Sequence, residues 1–114
     1  MSYRRPDLSG YQGVWLFAMF DLPVGGKAAR RAYARFRSLL RKLGFSMLQL
    51  SVYARYFASE EASLTCRGRI AEGLPSRGQV RLVMVTDRQF EKMSNYVGKL
   101  TREPEQPPKQ LMLF

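Results

Sequence analysis

The sequence predicts a single α+β domain in which a four-stranded antiparallel sheet carries two helices on one face. Apolar segments rich in β-branched and aromatic residues alternate with segments of helical periodicity, in the order β-α-β-β-α-β. A chain of 114 residues, 46% of them hydrophobic, is long enough for one core and too short for two.

Residues 13–21 predict the first strand. Their continuous apolar run, VWLFAMF, is typical of a strand buried on both faces. Asp21 ends the run, and the proline and glycines of residues 22–26 predict a loop. Asp21 is the only acidic residue between Asp7 and Glu60, so its place at a strand end is unusual.

Residues 27–43 predict the first helix. At about 100° per residue, the tyrosine, phenylalanine and leucines fall on one side, which predicts that this side packs inward. The opposite side carries seven cations with no acid among them: Lys27, Arg30, Arg31, Arg35, Arg37, Arg41 and Lys42. Gly44 follows where a C-terminal cap glycine is expected.

Residues 45–57 favour extended structure but are too long for one ordinary strand. We expect a break near residues 49–51, which gives either a hairpin or one strongly bent strand. Ser59, with acidic residues at the next two positions, predicts the start of a second helix that runs to about Gly73.

The remaining sequence predicts a turn at 75–78, a strand at 79–86 and a short helix or turn at 87–96. Residues 99–109 are polar with three prolines and predict a linker. The apolar end of the chain either frays or packs on its own core, or it adds a strand to a sheet edge, its own or a partner's. The residues of this predicted strand are Leu111, Met112, Leu113 and Phe114.

This order of elements is the ferredoxin-like arrangement, here with an additional C-terminal strand. We therefore expect a flexible lead-in at 1–12, the ferredoxin-like domain at 13–98, the linker at 99–109 and the strand at 110–114. Because this fold serves many functions, the function has to be argued from particular residues.

The composition restricts the chemistry. A net charge of +10 predicts a polyanionic partner, either nucleic acid or an anionic membrane surface. The chain has no histidine and one cysteine, Cys66, which excludes a histidine base, a Cys–His pair and a cysteine zinc site within one chain. Any catalysis has to use carboxylates, hydroxyls, cations or a metal ion held by oxygen.

The sequence also argues against a membrane location. The apolar run at 14–20 is far shorter than the roughly 20 residues that cross a bilayer. The first 12 residues are polar and do not have the pattern of a signal peptide. We therefore expect a cytoplasmic protein with no membrane partner.

Asp21 and the basic helix face are the two candidate sites. Asp21 either accepts hydrogen bonds from loop amides or binds a metal. A lone carboxylate is a poor site for Mg²⁺, but a two-fold dimer would supply a second one. The basic face is either a solvated surface or a phosphate-binding surface. The absence of neutralising acids favours contact with the nucleic-acid backbone.

Several sequence blocks together resemble a known family. They are MFDLPV (19–24), RRAYARFRSLLRKLGF (30–45), QLSVYARYF (49–57), VRLVMVTDRQF (80–90) and QLMLF (110–114). In this order they resemble the small CRISPR-associated adaptation protein, the dimeric partner of the CRISPR integrase, which is classed as a CRISPR-associated endoribonuclease. SVYAR and QLMLF are most similar to the type II branch, found beside single-protein, RNA-guided DNA nucleases.

The resemblance implies a ferredoxin-like homodimer in which Asp21 from both subunits faces its symmetry mate and binds Mg²⁺, with a catalytic role. It also implies roles for Arg30 and Arg31, with Phe45 as an accessory residue. The C-terminal strand would cross to the partner subunit or to the integrase. Many members carry tyrosine just before the aspartate, whereas this chain carries Phe20, which weakens the case for nuclease activity.

Three functional hypotheses follow. The first is an adaptation subunit that binds duplex DNA by its phosphates and bridges integrase subunits during spacer acquisition in antiviral defence. The second is an active Mg²⁺-dependent endonuclease on RNA or DNA that uses Asp21 paired across a dimer. The third is an RNA-binding ferredoxin-like module with no CRISPR role.

Overall fold

A computed structural model describes residues 13–108 of the chain. In chain order, its strands and helices are β1 (Val14–Asp21), α1 (Lys27–Lys42), β2 (Ser46–Gln49), β3 (Val52–Phe57), α2 (Leu64–Glu72), β4 (Gln79–Thr86), α3 (Asp87–Glu91), β5 (Asn95–Val97) and β6 (Leu100–Arg102). The predicted lead-in at 1–12 and the predicted C-terminal strand at 110–114 lie outside the described residues.

The main sheet has the strand order β2-β3-β1-β4, and every neighbouring pair is antiparallel. This is the ferredoxin-like topology that the sequence predicts. The predicted break near residues 49–51 is confirmed, and of its two alternatives the hairpin forms, because β2 and β3 pair across a turn at Leu50 and Ser51. Within this turn Ser51 adopts a positive φ of 70°.

The core lies between the sheet and the helices α1 and α2. Alternate residues of β1 point to this side, because successive side chains of a strand point to opposite faces. Phe20 packs edge-on against Phe36 of α1, with 5.1 Å between ring centroids. The buried core residues of this side include Leu16, Ala18, Phe20, Phe36, Leu40, Phe45, Tyr53, Phe57 and Ile70.

The opposite side of the sheet, here called the open face, has a smaller cluster around Trp15. The Trp15 ring stacks on Phe90 of α3 at 4.1 Å between centroids, and its Nε1 donates to Asp87 Oδ1 at 3.0 Å. Thr86 caps α3, since its hydroxyl accepts from the Gln89 amide while the Gln89 side chain accepts from the Thr86 amide. The short helix α3 is thereby held over one end of the open face.

The end of α1 is fixed as the sequence predicts. Gly44 has φ of 88°, which suits the residue just after a helix. Arg55 of β3 donates from Nη1 to the Leu43 carbonyl at 2.7 Å, so a strand side chain satisfies one of the last carbonyls of the helix. The guanidinium of Arg55 also lies over the Phe57 ring, 4.4 Å from its centroid.

The structure differs from prediction after β4. Within 87–96, predicted as a short helix or turn, α3 ends at Glu91 and strand β5 begins at Asn95. Within 99–109, predicted as a linker, Leu100–Arg102 form strand β6. The two strands make a separate hairpin around Gly98, which has φ of 64° and permits the tight turn.

The second helix also begins differently. The Ser59 hydroxyl accepts from the Ala62 amide at 3.1 Å, so Ser59 acts as the predicted cap. The turn that it caps is a 3₁₀ turn at Glu61–Ser63, and the α-helix starts only at Leu64.

Candidate nucleic-acid interface and metal site

The predicted cationic face of α1 forms a continuous exposed surface on the helix side of the sheet. Six of its seven cations are exposed: Lys27, Arg30, Arg31, Arg35, Arg41 and Lys42. The helix contains no acidic residue that could neutralise them. Positive charge is therefore concentrated on one helix face, here called the cationic face, and is available to an anionic partner.

Arg37 differs from the other six. Its Nε donates to Tyr53 Oη at 3.1 Å, and its guanidinium lies 5.7 Å from the centroid of the Tyr33 ring. The hydrogen bond to Tyr53 raises the pKa of Arg37. The side chain is half-buried and satisfies the hydroxyl of a buried tyrosine, which gives Arg37 a structural role that its place in the sequence pattern does not reveal.

A cleft extends the cationic face at the start of α1. It has a volume of about 330 Å³, and its lining includes Gly25, Gly26, Lys27, Ser76 and Arg77. Gly26 precedes α1 without a side-chain cap, so the first backbone N–H groups of the helix are left for other acceptors. An anionic group approaching the cationic face would therefore also meet backbone donors here.

Asp21 lies at the exposed end of β1, with its side chain on the open face. Its register partner is Gln79, the first residue of β4. Gly78 stands just before Gln79 with φ of 94°, and a Cβ there would lie 2.7 Å from the Asp21 carbonyl oxygen. The chain thus passes so close to Asp21 that only glycine fits, and this contact fixes the strand end that presents the carboxylate.

A shallow cavity of about 230 Å³ adjoins the carboxylate. Its lining consists of Met19, Phe20, Asp21, Gln79 and Arg81, and includes none of the cations of α1. The Arg81 guanidinium donates to the Gln79 side-chain oxygen, at 3.1 Å from Nη2 and 3.3 Å from Nε, in the amide orientation that satisfies both groups. The structure therefore places Asp21 and the cationic face on opposite sides of the sheet. The cavity beside Asp21 is separate from the cleft at the start of α1.

One chain does not offer a fitting magnesium site. Residues 13–108 contain no cluster of three or more aspartate, glutamate, histidine or cysteine side chains. The cavity beside Asp21 supplies one carboxylate and one amide oxygen, with a guanidinium next to them. Mg²⁺ needs several oxygen ligands and is repelled by a neighbouring cation, so residues 13–108 of one chain are not sufficient to bind it at Asp21.

The other predicted site residues lie in the core or outside the described residues. Phe45 is buried in the helix-side core, where its ring does not reach a ligand on the surface. Phe20 is packed against Tyr33, Phe36 and Tyr53, on the side of the sheet away from the Asp21 carboxylate. The structure says nothing of residues 111–114.

Cys66 is a buried core residue. Burial raises the pKa of its thiol, while the nearby Arg55 guanidinium acts in the opposite direction. A thiol with a raised pKa is a weak nucleophile at neutral pH, so Cys66 has a structural role.

Sequence reasoning missed Gly78 and Arg81. The signal for Arg81 was present, because it alternates with the apolar Val80 and Leu82 and therefore points to the open face. Its closeness to Asp21 could not be predicted, because that depends on the register of β1 against β4. The sequence predicts Gly78 only as part of the turn at 75–78.

No helix in the part of the chain that the structure describes is long and apolar enough to cross a membrane.

Comparison with known proteins identifies the family. The family model described as CRISPR associated protein Cas2 matches residues 14–93, which include β1, the cationic helix and β4. The chain is 46% identical over 101 residues to the CRISPR-associated endoribonuclease Cas2 of Parvibaculum lavamentivorans, which covers 89% of this chain and 100% of that protein.

Two further relatives have the same name. The protein of Flavobacterium psychrophilum is 37% identical over 107 residues, covering 94% of this chain and 93% of the relative. The protein of Lacticaseibacillus rhamnosus is 42% identical over 83 residues, covering 73% and 82%. The fold, the matched segment and these identities agree, and the chain belongs to the CRISPR-associated Cas2 family.

Proposed function

We propose that this protein is a nucleic-acid-binding subunit of CRISPR adaptation, in which a dimer holds duplex DNA by its phosphates and bridges integrase subunits during spacer acquisition. The observation that carries this proposal is the cationic face of α1, with six exposed cations and no acid. The CRISPR role follows from family membership, and the bridging role is our proposal.

The shape of the cationic face suits a nucleic-acid backbone. A helix of 16 residues is roughly 24 Å long, so its cations can meet several successive phosphates. Lysine and arginine contacts to phosphate position a protein on nucleic acid without reading its sequence. A subunit that holds foreign fragments of any sequence needs this kind of binding.

Two features of the surface suit protein partners. The hairpin of β5 and β6 exposes three large apolar residues, since Tyr96, Val97 and Leu100 are 65%, 54% and 74% exposed. In addition, β4 is an edge strand of the main sheet as formed by residues 13–108. Exposed apolar groups and a strand edge favour association with protein, so we propose a homodimer and contact with the integrase.

The DNA-binding proposal predicts a strong and separable salt dependence. Replacing Arg30 and Arg31 with glutamine is expected to weaken duplex binding and to reduce the slope of log K against log salt by about 0.9 for each lost phosphate contact. The effect should be the same for unrelated DNA sequences. Fluorescence anisotropy over a range of salt concentrations measures both quantities.

Arg69→Gln is the matched control for charge. Arg69 is exposed on α2, outside the cationic face, and its replacement removes one positive charge in the same way. It should change the slope by much less than either α1 substitution. Duplex affinity that is insensitive to salt, or an equal effect of Arg69→Gln, would contradict binding through α1. A strong preference for single-stranded RNA, with no co-purification of the integrase, would favour the plain RNA-binding module.

A Mg²⁺-dependent endonuclease is the second candidate. The exposed position of Asp21 favours it, as does the word endoribonuclease in the names of the relatives. Since one chain supplies a single carboxylate there, this activity would need Asp21 from two subunits, with Mg²⁺ between them as an electrophile and activator of water.

Cleavage assays separate the two candidates. If the protein is a nuclease, purified protein should cut RNA or DNA in Mg²⁺, and Asp21→Asn should abolish cutting while leaving DNA affinity unchanged. Absence of cutting by the wild-type protein, with intact DNA binding, supports the adaptation subunit. Cutting that survives Asp21→Asn would assign the activity to another site or to a contaminant.

A further inference from the structure

Among the residues that the structure describes, the open face is covered at one end and bare at the other. Phe90 and Met93 pack on the end that contains Trp15. Residues 105, 106 and 108 border a cavity at this same end, and Pro107 is buried. At the other end, five residues form what is here called the bare patch: Met19, Asp21, Gln79, Arg81 and Val83.

The bare patch contains one acid and one base at fixed relative positions. Asp21 lies opposite Gln79, and Met19 lies opposite Arg81, so Asp21 and Arg81 are diagonal neighbours on one face. Diagonal neighbours are separated by about 7–8 Å between Cα atoms, within reach of a long side chain. Both residues are exposed, and Val83 beside them is 41% exposed.

We propose that Arg81 of one copy forms an ion pair with Asp21 of a second copy, which makes the bare patch a self-complementary interface. This inference rests on the homodimer proposed above and deepens it. In an isologous interface the same patch occurs twice, so any pairing of an acid with a base also occurs twice. The apolar contacts of Met19 and Val83 would lie beside the two ion pairs.

The charges favour this occupant over a metal ion. A two-fold axis near Asp21 brings two carboxylates together, and their repulsion has to be offset. The two Arg81 guanidiniums supply the opposite charge from the chain itself, so the four groups sum to zero. A Mg²⁺ ion between the carboxylates would have to bind beside these two guanidiniums, which repel it.

A nucleic-acid phosphate is also a weaker choice for Arg81. The Asp21 carboxylate next to Arg81 would repel a phosphate, whereas this carboxylate attracts a guanidinium. The cationic face, where α1 has no acid, offers phosphates a better surface on the other side of the sheet. A second copy of this chain therefore fits the bare patch best.

A charge exchange tests the proposal. The dissociation constant of the dimer is measured by sedimentation velocity for the wild type, Asp21→Arg, Arg81→Asp and the double exchange, in EDTA. Each single exchange should weaken the dimer at least tenfold, about 1.4 kcal/mol, because like charges then face each other. The double exchange should restore most of this loss. Arg69→Gln, which changes an exposed charge on α2, should have no effect.

Folding controls and the effect of Mg²⁺ on the dimer make each outcome decisive. Circular dichroism and urea midpoints confirm that the variants fold, and the milder Asp21→Asn and Arg81→Gln replace any that do not. A double exchange no better than the singles overturns the pairing. A tenfold decrease of the dissociation constant of the wild-type dimer in Mg²⁺ that depends on Asp21 also overturns the pairing, because the carboxylates then bind the metal.

A failure of the proposed ion pair can be distinguished from a failure of the proposed homodimer. A dimer that is unaffected by both single exchanges and by the double exchange rules out the pairing but leaves the homodimer standing. A wild-type protein that stays monomeric at every concentration overturns the homodimer itself. If Arg81→Gln leaves the dimer intact and weakens DNA binding, Arg81 is a phosphate contact and the pairing is wrong.

Discussion

The exposure of the Asp21 carboxylate depends on a residue with no side chain. Gly78 lies against the Asp21 carbonyl and the Leu22 side chain, in a left-handed conformation that L-residues rarely adopt. The contact joins the start of β4 to the end of β1, which puts Gln79 and Arg81 beside Asp21. A backbone feature therefore determines which side chains surround the carboxylate.

Gly78→Ala is accordingly expected to destabilise the fold by about 2 kcal/mol or more, because the added Cβ meets backbone and the positive φ is strained. Urea unfolding followed by circular dichroism measures the change. Gly25→Ala is the matched control, since no atom lies within 4 Å of a Cβ there and its φ is not in the left-handed range. Equal stability of the two variants would contradict the role given to Gly78.

Among the elements, α3 has an importance out of proportion to its length. It has only 5 residues, yet it places Phe90 against Trp15 and buries both rings. So short a helix is not stable by its own propensity, and its capping box and its packing hold it. The cap is thus part of what closes the Trp15 end of the open face.

Thr86→Ala removes the capping hydroxyl and should cost about 1 kcal/mol of unfolding free energy. Amide hydrogen exchange should show the loss concentrated in α3. Thr86→Ser keeps the hydroxyl and should stay close to the wild type. If Thr86→Ala lowers amide protection uniformly across the sheet, and no more in α3 than in β1, the cap does not act locally.

The predictability of the elements follows from their packing. The strand β1 is a continuous apolar run, β4 alternates exposed and half-buried residues, and α1 buries one side, so each of these patterns was visible in the sequence. Strands β5 and β6 have three residues each and bury almost none of them. They have no burial pattern to detect, so the sequence does not predict this hairpin.

At the scale of the whole molecule, the sheet separates two surfaces of different character. The helix side presents the cations of α1, and the open face presents the acid and base of the bare patch. The cationic face was predictable because its residues are close in sequence. The patch was not, because Asp21 and Arg81 are 60 positions apart and meet only through strand pairing.

This separation bears on assembly. If two copies join through the bare patch, their helix sides face outward, and each presents a cationic face to solvent. Duplex DNA bound there would then add charge contacts from both subunits without competing for the interface. Binding of nucleic acid and pairing of subunits can therefore vary independently, as the separate variants above are designed to show.

The stacking of Trp15 on Phe90 has a practical consequence. Trp15 is the single tryptophan of the sequence, and it lies buried at the covered end of the open face. The intrinsic indole fluorescence of the protein is therefore an optical signal from one known location. Undocking of α3, or a partner that displaces it, would change the emission spectrum without any added label.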